Sequence, residues 1–218
     1  MVGSALTRYS ETPFLLFDTE TAYPSLNLAR ARPWELSYAI ATLKGGISLV
    51  RTHFIRWPNM VITEDNPSFK HFDRARYERE AKDPREVWDE FSPLLYGGKH
   101  RPTGHNLVGF DQAVIDVWRR LMGLVPDSSW LYYPVLDTNC VAKAYRAQWT
   151  PDISSPEACV AWQYRCYHQR LAKGVKTKLG VMCQEFGIPY DLARAHEAEY
   201  DIRVNWEVAK QLIWKVEV

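Results

Sequence analysis

The sequence predicts an α/β protein, with a mixed sheet and flanking helices. Its first half carries short apolar runs typical of strands, its second half carries amphipathic patterns typical of helices, and no repeat or Gly/Ser linker separates the halves. A length of 218 residues with 46% hydrophobic content is enough for one core. We therefore predict a single domain over 1–218, with 142–175 as a candidate insertion.

Three strands are predicted in the first half, at 14–18 (FLLFD), 35–43 (ELSYAIATL) and 47–55 (ISLVRTHFI). The turn Lys-Gly-Gly joins the last two, because its glycines tolerate positive φ, so the three strands form an antiparallel meander. A helix is predicted over 85–96, and the Gly-Gly that follows it ends the pattern before a short segment at 102–107. The apolar face of this helix comprises Val87, Phe91, Leu94 and Leu95.

The second half is predicted to be mostly helical. Residues 110–124 place apolar side chains on one helical stripe, and 156–218 is largely helical. Between them, 130–137 (WLYYPVLD) is predicted to be a strand that ends in an Asp-Thr pair suited to cap the next helix.

Charge and cysteine content exclude several classes of protein. The formal net charge is +1, so any nucleic-acid binding must depend on a local patch. The four cysteines form neither a C-x-x-C pair nor a zinc spacing, and this indicates small buried hydrophobes in a reducing compartment. No apolar run approaches the roughly 18 residues that span a bilayer. We expect a cytoplasmic protein that does not insert in a membrane.

The first strand ends in two carboxylates, Asp18 and Glu20, in the stretch FLLFDTET at 14–21. Side chains two apart on a strand share a face, so these acids are neighbours. Left alone, each raises the pKa of the other, whereas a divalent metal ion would hold both ionised. The alternative is a polar strand end in which Asp18 caps a turn.

Two later stretches contain the same kind of residue. Asp111 lies where a loop turns into a helix, preceded by His105 and Asn106, and an ordinary helix N-cap is the alternative. His196 and Asp201 precede and begin the last long helix. Five residues on an ideal helix turn through roughly 140°, so the two side chains meet only if His196 lies on the loop before the helix. The alternative is a surface histidine and a first-turn aspartate.

Taken in order, FDTET (17–21), GHNLVGFD (104–111) and AHEAEYD (195–201) resemble the three motifs of the DEDD superfamily of 3′–5′ exonucleases, in its DnaQ-like DEDDh branch. The segments HF (71–72), LDT (136–138) and LGVMCQEFGIP (179–189) also resemble parts of that family. Two features depart from the usual pattern. Ala22, Tyr23 and Pro24 follow Thr21 where glycine is usual, and three residues rather than two separate Asn106 from Phe110.

The resemblance implies a ribonuclease H-like fold with a mixed five-stranded sheet. It also implies two divalent ions, Mg²⁺ or Mn²⁺, and release of nucleoside 5′-monophosphates from 3′ ends. In the family's pattern Asp18 bridges both ions, Glu20 and Asp201 complete one site, Asp111 supports the other, and His196 accepts the proton of the attacking water.

The expected substrate contacts are Thr21, Tyr23, Leu26, His71 and Asn106. Tyr23 and Leu26 follow the first motif, where related enzymes place an apolar wedge against the last base, although Tyr23 is also compatible with ordinary packing. The stretch 162–178 interleaves aromatic with basic residues. It is either a path for single-strand phosphates or a solvated helix whose aromatic side chains lie in the core.

We expect an exonuclease that acts on single-stranded or frayed DNA, either free-standing or as the proofreading partner of a polymerase in replication. The first alternative is an enzyme of the same fold that trims RNA 3′ ends. The second is an inactive nucleic-acid-binding module, which would be expected to lack one of the carboxylates.

Overall fold

The computed structural model describes residues 12–23, 31–64, 66–132, 135–152 and 154–216. Its strands are β1 (Phe14–Thr21), β2 (Pro33–Thr42), β3 (Gly46–Phe54), β4 (Arg101–Gly104) and β5 (Leu136–Asp137). Its helices are α1 (Arg74–Glu80), α2 (Pro84–Tyr96), α3 (Asp111–Leu121), α4 (Thr138–Ala147), α5 (Pro156–His168), α6 (Leu179–Phe186) and α7 (Ala198–Val216). Short 3₁₀ turns lie at Phe69–His71 and Ser129–Tyr132.

The five strands form one mixed sheet in the order β3-β2-β1-β4-β5. β1, β2 and β3 pair antiparallel, while β4 runs parallel to β1 and β5 runs parallel to β4. The predicted meander and the mixed five-stranded sheet with flanking helices are therefore confirmed. Because β1, β4 and β5 run in the same direction, their carboxyl ends meet at one edge of the sheet.

The two faces of β1 pack against different layers of helices. Phe14 and Leu16 belong to a core shared with α4, α5, α6 and α7, whereas Leu15 and Phe17 belong to a core shared with α2 and α3. All four side chains are almost fully buried. The central strand is therefore fixed from both sides, and this makes its carboxyl end a rigid support.

One predicted strand, at 130–137, is wrong at its start. Residues 129–132 form a 3₁₀ turn, whereas Leu136–Asp137 is β-strand and residues 133–134 lie outside the described part of the chain. Trp130, one of the aromatic residues that suggested a strand, is instead buried against Phe17 in the core. The region 156–218 is helical as predicted in its three described helices, which are separated by loops at 169–178 and 187–197.

The four cysteines, at 140, 159, 166 and 183, are all buried and unpaired, as the sequence predicted. Among the described residues, no helix combines the length and the apolar content that crossing a bilayer requires.

Candidate active site

Asp18 and Glu20 continue the face of β1 that carries Phe14 and Leu16. This is the face against which α7 packs, and Asp201 lies in the first turn of α7. The alternation of β1 therefore directs both carboxylates toward the helix that supplies the third acid.

Asp111 joins the site from the opposite side of β1. It is the first residue of α3 and is almost fully buried. Its Oδ1 accepts two hydrogen bonds from Thr19, one from the hydroxyl at 2.7 Å and one from the backbone N–H at 3.2 Å. Thr19 lies between Asp18 and Glu20, so the residue that separates these two acids also holds Asp111 beside them.

His196 and Asp201 are joined by a backbone hydrogen bond. The N–H of His196 donates to Oδ2 of Asp201 at 2.9 Å, and His196 has a positive φ of 68°. This left-handed backbone is uncommon outside glycine, although histidine adopts it more often than most residues do. His196 lies on the loop before α7, as its spacing from Asp201 required. The hydrogen bond from His196 to Asp201 holds this loop against the first turn of the helix.

One oxygen of Asp201 and the neighbouring ligand atoms define a candidate metal position. Asp201 Oδ1 is buried and has no hydrogen-bond partner among the described residues. Single ligand atoms of Glu20, His196 and Asp201 all lie within 4.8 Å of one another. A buried carboxylate oxygen without a donor is costly, and a cation would satisfy it. Carboxylate oxygens are also the ligands that Mg²⁺ prefers, so these residues fit a divalent ion.

The acids strongly perturb one another. Burial, followed by the nearby charges of Asp111 and Glu20, holds the pKa of Asp18 well above its usual range. Burial, followed by the charge of Glu35, does the same for Glu20. These raised pKa values disfavour the ionisation of all of the carboxyls together, and nearby positive charge would favour it.

Glu35 is a fifth acid that the sequence did not reveal. It lies directly opposite Glu20 in the β1–β2 register and is 6% exposed. Burial raises the pKa of Glu35 to about 8, with the guanidinium of Arg76 opposing that shift. A glutamate at the start of the strand that pairs with β1 could have indicated this fifth acid. The register of the two strands, however, is visible only in the structure.

Burial also shifts the pKa values of the remaining acids and of the histidine. Burial raises the pKa of Asp111 to about 7, although the Thr19 hydroxyl lowers it, and burial raises the pKa of Asp201 to about 6. Burial, followed by the charges of Lys70 and His71, lowers the pKa of His196. A neutral imidazole can accept a proton at physiological pH.

A cleft of about 1190 Å³ opens above these groups. Asp18, Glu20, Asp111, His196 and Asp201 all line it. A volume above the usual range for small-molecule sites suits a polymer end better than a metabolite.

Only some of the described residues that were expected to contact substrate line the cleft. Thr21 and Asn106 line the cleft. Tyr23 is partly buried and is not among the lining residues of the described chain, while Leu26 lies outside the described residues. His71 is partly buried, and its Nε2 lies 2.9 Å from the backbone carbonyl of Ala195, next to His196.

Sequence reasoning also missed the polar loop behind Glu20. The Asn66 amide donates to the carbonyl of Thr21, and the Ser68 hydroxyl donates to Asn66 Oδ1 at 2.8 Å. The side chain of Ser68 also lies near Glu20 and opposes the rise in the pKa of Glu20. No local pattern marks this loop, because its contacts with Thr21 and Glu20 join residues more than 40 positions apart in the chain.

No protein-family model matches the sequence, and no curated protein sequence does so either. Solved structures do match. E. coli exonuclease I in complex with a dT13 oligonucleotide is similar to this chain with a TM-score of 0.69 and 15% identity, over 94% of this chain and 42% of that one. The zinc-bound form of E. coli exonuclease I with single-stranded DNA has a TM-score of 0.68 and 16% identity, over 93% and 40%.

A product-bound structure of exonuclease I has a TM-score of 0.67 at 15% identity, over 94% of this chain and 44% of that one. The chain thus spans about two fifths of the length of these structures. At such identities the likeness concerns the fold. This chain has the fold of the matched part of exonuclease I, and its acidic cleft is built at the carboxyl end of the central strand of that fold.

Proposed function

We propose that the chain is a metal-dependent 3′–5′ exonuclease of the DnaQ-like DEDDh type, acting on single-stranded or frayed DNA. The observation that carries this proposal is the convergence of four acids and one histidine, from three separated motifs, in a single cleft. The fold shared with exonuclease I supports it, because that protein is seen with single-stranded DNA.

The four acids are proposed to hold two divalent ions, Mg²⁺ or Mn²⁺. Asp18 has the central place, since its pKa responds to Asp111, Glu20 and Asp201 together. Glu20 and Asp201 would contribute to one ion, and Asp111 to the other. When bound, such ions activate a water molecule and stabilise the leaving oxygen of a phosphodiester.

His196 is proposed as the general base. Its lowered pKa keeps the imidazole neutral, and its backbone is held by Asp201, which positions the ring at the cleft. The ring would accept the proton of the attacking water, while the phosphodiester bond breaks and its 3′ oxygen leaves. The product is a nucleoside 5′-monophosphate.

DNA is the preferred substrate in this proposal, and RNA trimming is the alternative that the same chemistry allows. The experiment is incubation of 3′-labelled single-stranded DNA and RNA of one sequence with the protein, in Mg²⁺, in EDTA, and after Mg²⁺ is restored. We expect labelled mononucleotide from DNA in Mg²⁺, none in EDTA, and recovery on adding Mg²⁺. Full activity in excess EDTA would refute the metal mechanism, and faster cleavage of RNA would reverse the substrate assignment.

A further inference from the structure

One segment beside the active site has an unusual charge. Between Glu157 and Glu185 the chain carries five basic residues and no acidic one, although the whole chain has 27 basic and 26 acidic residues. These basic residues are Arg165, Arg170, Lys173, Lys176 and Lys178. The last four lie on the segment 170–178, which joins α5 to α6 and which we call the basic connector.

The sequence left two interpretations of this region, and the structure separates its aromatic part from its basic part. Trp162 is buried, and Tyr164 and Tyr167 are partly buried against the core. The side chains of the four basic residues on the connector are exposed. No ion pair joins any of these four to an acid within the described part of the chain.

The connector reaches the active site through an anchored residue, Thr177. Its side chain is 8% exposed, and its hydroxyl donates to Asn139 Oδ1 at 2.7 Å. The ring of His105 hydrogen-bonds to the backbone of Thr177. Thr177 is thus fixed to the loop and helix that lie next to Asp111, and its two lysine neighbours are exposed.

Lys176 and Lys178 line the same cleft as the carboxylates. Lys178 is also close enough to His196 to contribute to lowering its pKa. Two exposed cations at the rim of an acidic centre are poorly placed to stabilise the fold, because neither pairs with an acid at any position that the structure describes. They are well placed to meet phosphates on a strand whose end lies among the acids.

We propose that the basic connector is a binding site for the sugar–phosphate backbone of a single strand, with Lys176 and Lys178 contacting phosphates on the 5′ side of the scissile bond. This inference deepens the proposed function and rests on it for the location of the 3′ end. Contacts from lysine to phosphate carry no sequence information, so the site accepts any base sequence.

The test is the salt dependence of binding. Fluorescence anisotropy measures the affinity of labelled oligothymidylate in Ca²⁺ at several NaCl concentrations, for wild type and for Lys176→Gln/Lys178→Gln. The slope of log K against log salt falls by about 0.7 for each lost phosphate contact with a single strand, so by about 1.4 for the double variant. Lys99→Gln is the control, because Lys99 is exposed and precedes β4, at the sheet edge opposite the site. We expect its slope to equal that of the wild type.

Charge-conserving replacement separates a phosphate contact from a structural effect. Lys176→Arg/Lys178→Arg is expected to keep the wild-type slope, and circular dichroism checks that each variant is folded. The same titration with oligouridylate distinguishes a site for DNA from one for either nucleic acid. An unchanged slope in the glutamine variant, or no binding by the wild type, would overturn the proposal. Lysine-dependent binding without cleavage in Mg²⁺ would instead refute the exonuclease function and leave this site standing.

Discussion

The ring of His71 is hydrogen-bonded to the backbone carbonyl of Ala195, with 2.9 Å between Nε2 and the oxygen. A carbonyl oxygen only accepts, so Nε2 of His71 carries the proton. Lys70, on the same 3₁₀ turn, donates to the carbonyl of Leu192 at 3.2 Å. The loop that ends at His196 is therefore tied to a turn more than 120 residues earlier in the chain.

We therefore expect His71 to position His196, and not only to contact substrate. His71→Ala removes the donor, and the loss of about 1 kcal/mol of positioning corresponds to about a fivefold fall in turnover. His71→Gln keeps an N–H at a similar reach and is expected to retain wild-type turnover. The measurement is kcat together with oligonucleotide affinity in Ca²⁺. If both variants lose affinity while kcat is kept, His71 is a substrate contact, as the sequence suggested.

His196→Ala tests the general base. Turnover should fall by roughly 10²–10⁴, the usual effect of losing such a base. Oligonucleotide affinity in Ca²⁺ should stay near that of the wild type if the imidazole is not a metal ligand. This point matters because a ring nitrogen of His196 lies within 4.8 Å of the ligand oxygens of Glu20 and Asp201.

His168→Ala is the matched control for His196→Ala, because His168 is exposed and does not line the cleft. A His196→Ala protein that cleaves within about threefold of wild type, far from the loss of a general base, would exclude the role. A large loss of affinity for the activating ion would instead make His196 a ligand.

Local patterns in the sequence were sufficient to predict those parts of the site that local geometry determines. Strand alternation placed Asp18 beside Glu20, and helical rotation placed His196 on the loop before Asp201. Glu35 was missed because its meeting with Glu20 depends on strand register, which is a long-range property. The strand predicted at 130–137 was wrong over 130–132, because aromatic residues favour both strands and buried turns, and Trp130 packs in the core.

Asp18→Ala is predicted to abolish cleavage and to preserve, or raise, thermal stability in EDTA. Burial raises the pKa of Asp18 most, and the neighbouring acids raise it further. Removing this carboxyl therefore relieves repulsion among the acids. Thermal unfolding in EDTA and in Mg²⁺ measures this, and added Mg²⁺ should stabilise the wild type more than the variant.

Asp83→Ala provides a contrast for Asp18→Ala. Asp83 is the N-cap of α2, and its side chain accepts a hydrogen bond from the N–H of Arg85 at 2.8 Å. Loss of such a cap costs about 0.5–2 kcal/mol with or without metal. If Asp18→Ala is destabilised in EDTA in the same way, Asp18 is a structural cap and the metal-bridging role fails.

Glu35 makes the stability of the metal-free protein depend on pH. Its pKa is about 8 when folded, against 4.5 for an ordinary glutamate, so between these values the folded state holds a proton that the unfolded chain has released. The folded state is therefore favoured at the acidic end, and stability falls as pH rises, by about 1.4 kcal/mol per pH unit for such a group. Asp111 and Asp201, with pKa values of about 7 and 6, act in the same direction at lower pH.

Glu35→Gln isolates this contribution, because the amide fills the same space without titrating. Urea unfolding in EDTA between pH 5 and pH 8, the range over which folded Glu35 keeps a proton that the unfolded chain has released, should show a steep fall in wild-type stability and a shallower fall in the variant. At the alkaline end the variant should be the more stable protein. Mg²⁺ should reduce the wild-type decline, since a cation lowers the pKa values of the acids around it. A variant that is less stable than wild type at pH 8 in EDTA would mean that the buried carboxylate of Glu35 is satisfied within the fold, and that its raised pKa is not a source of instability.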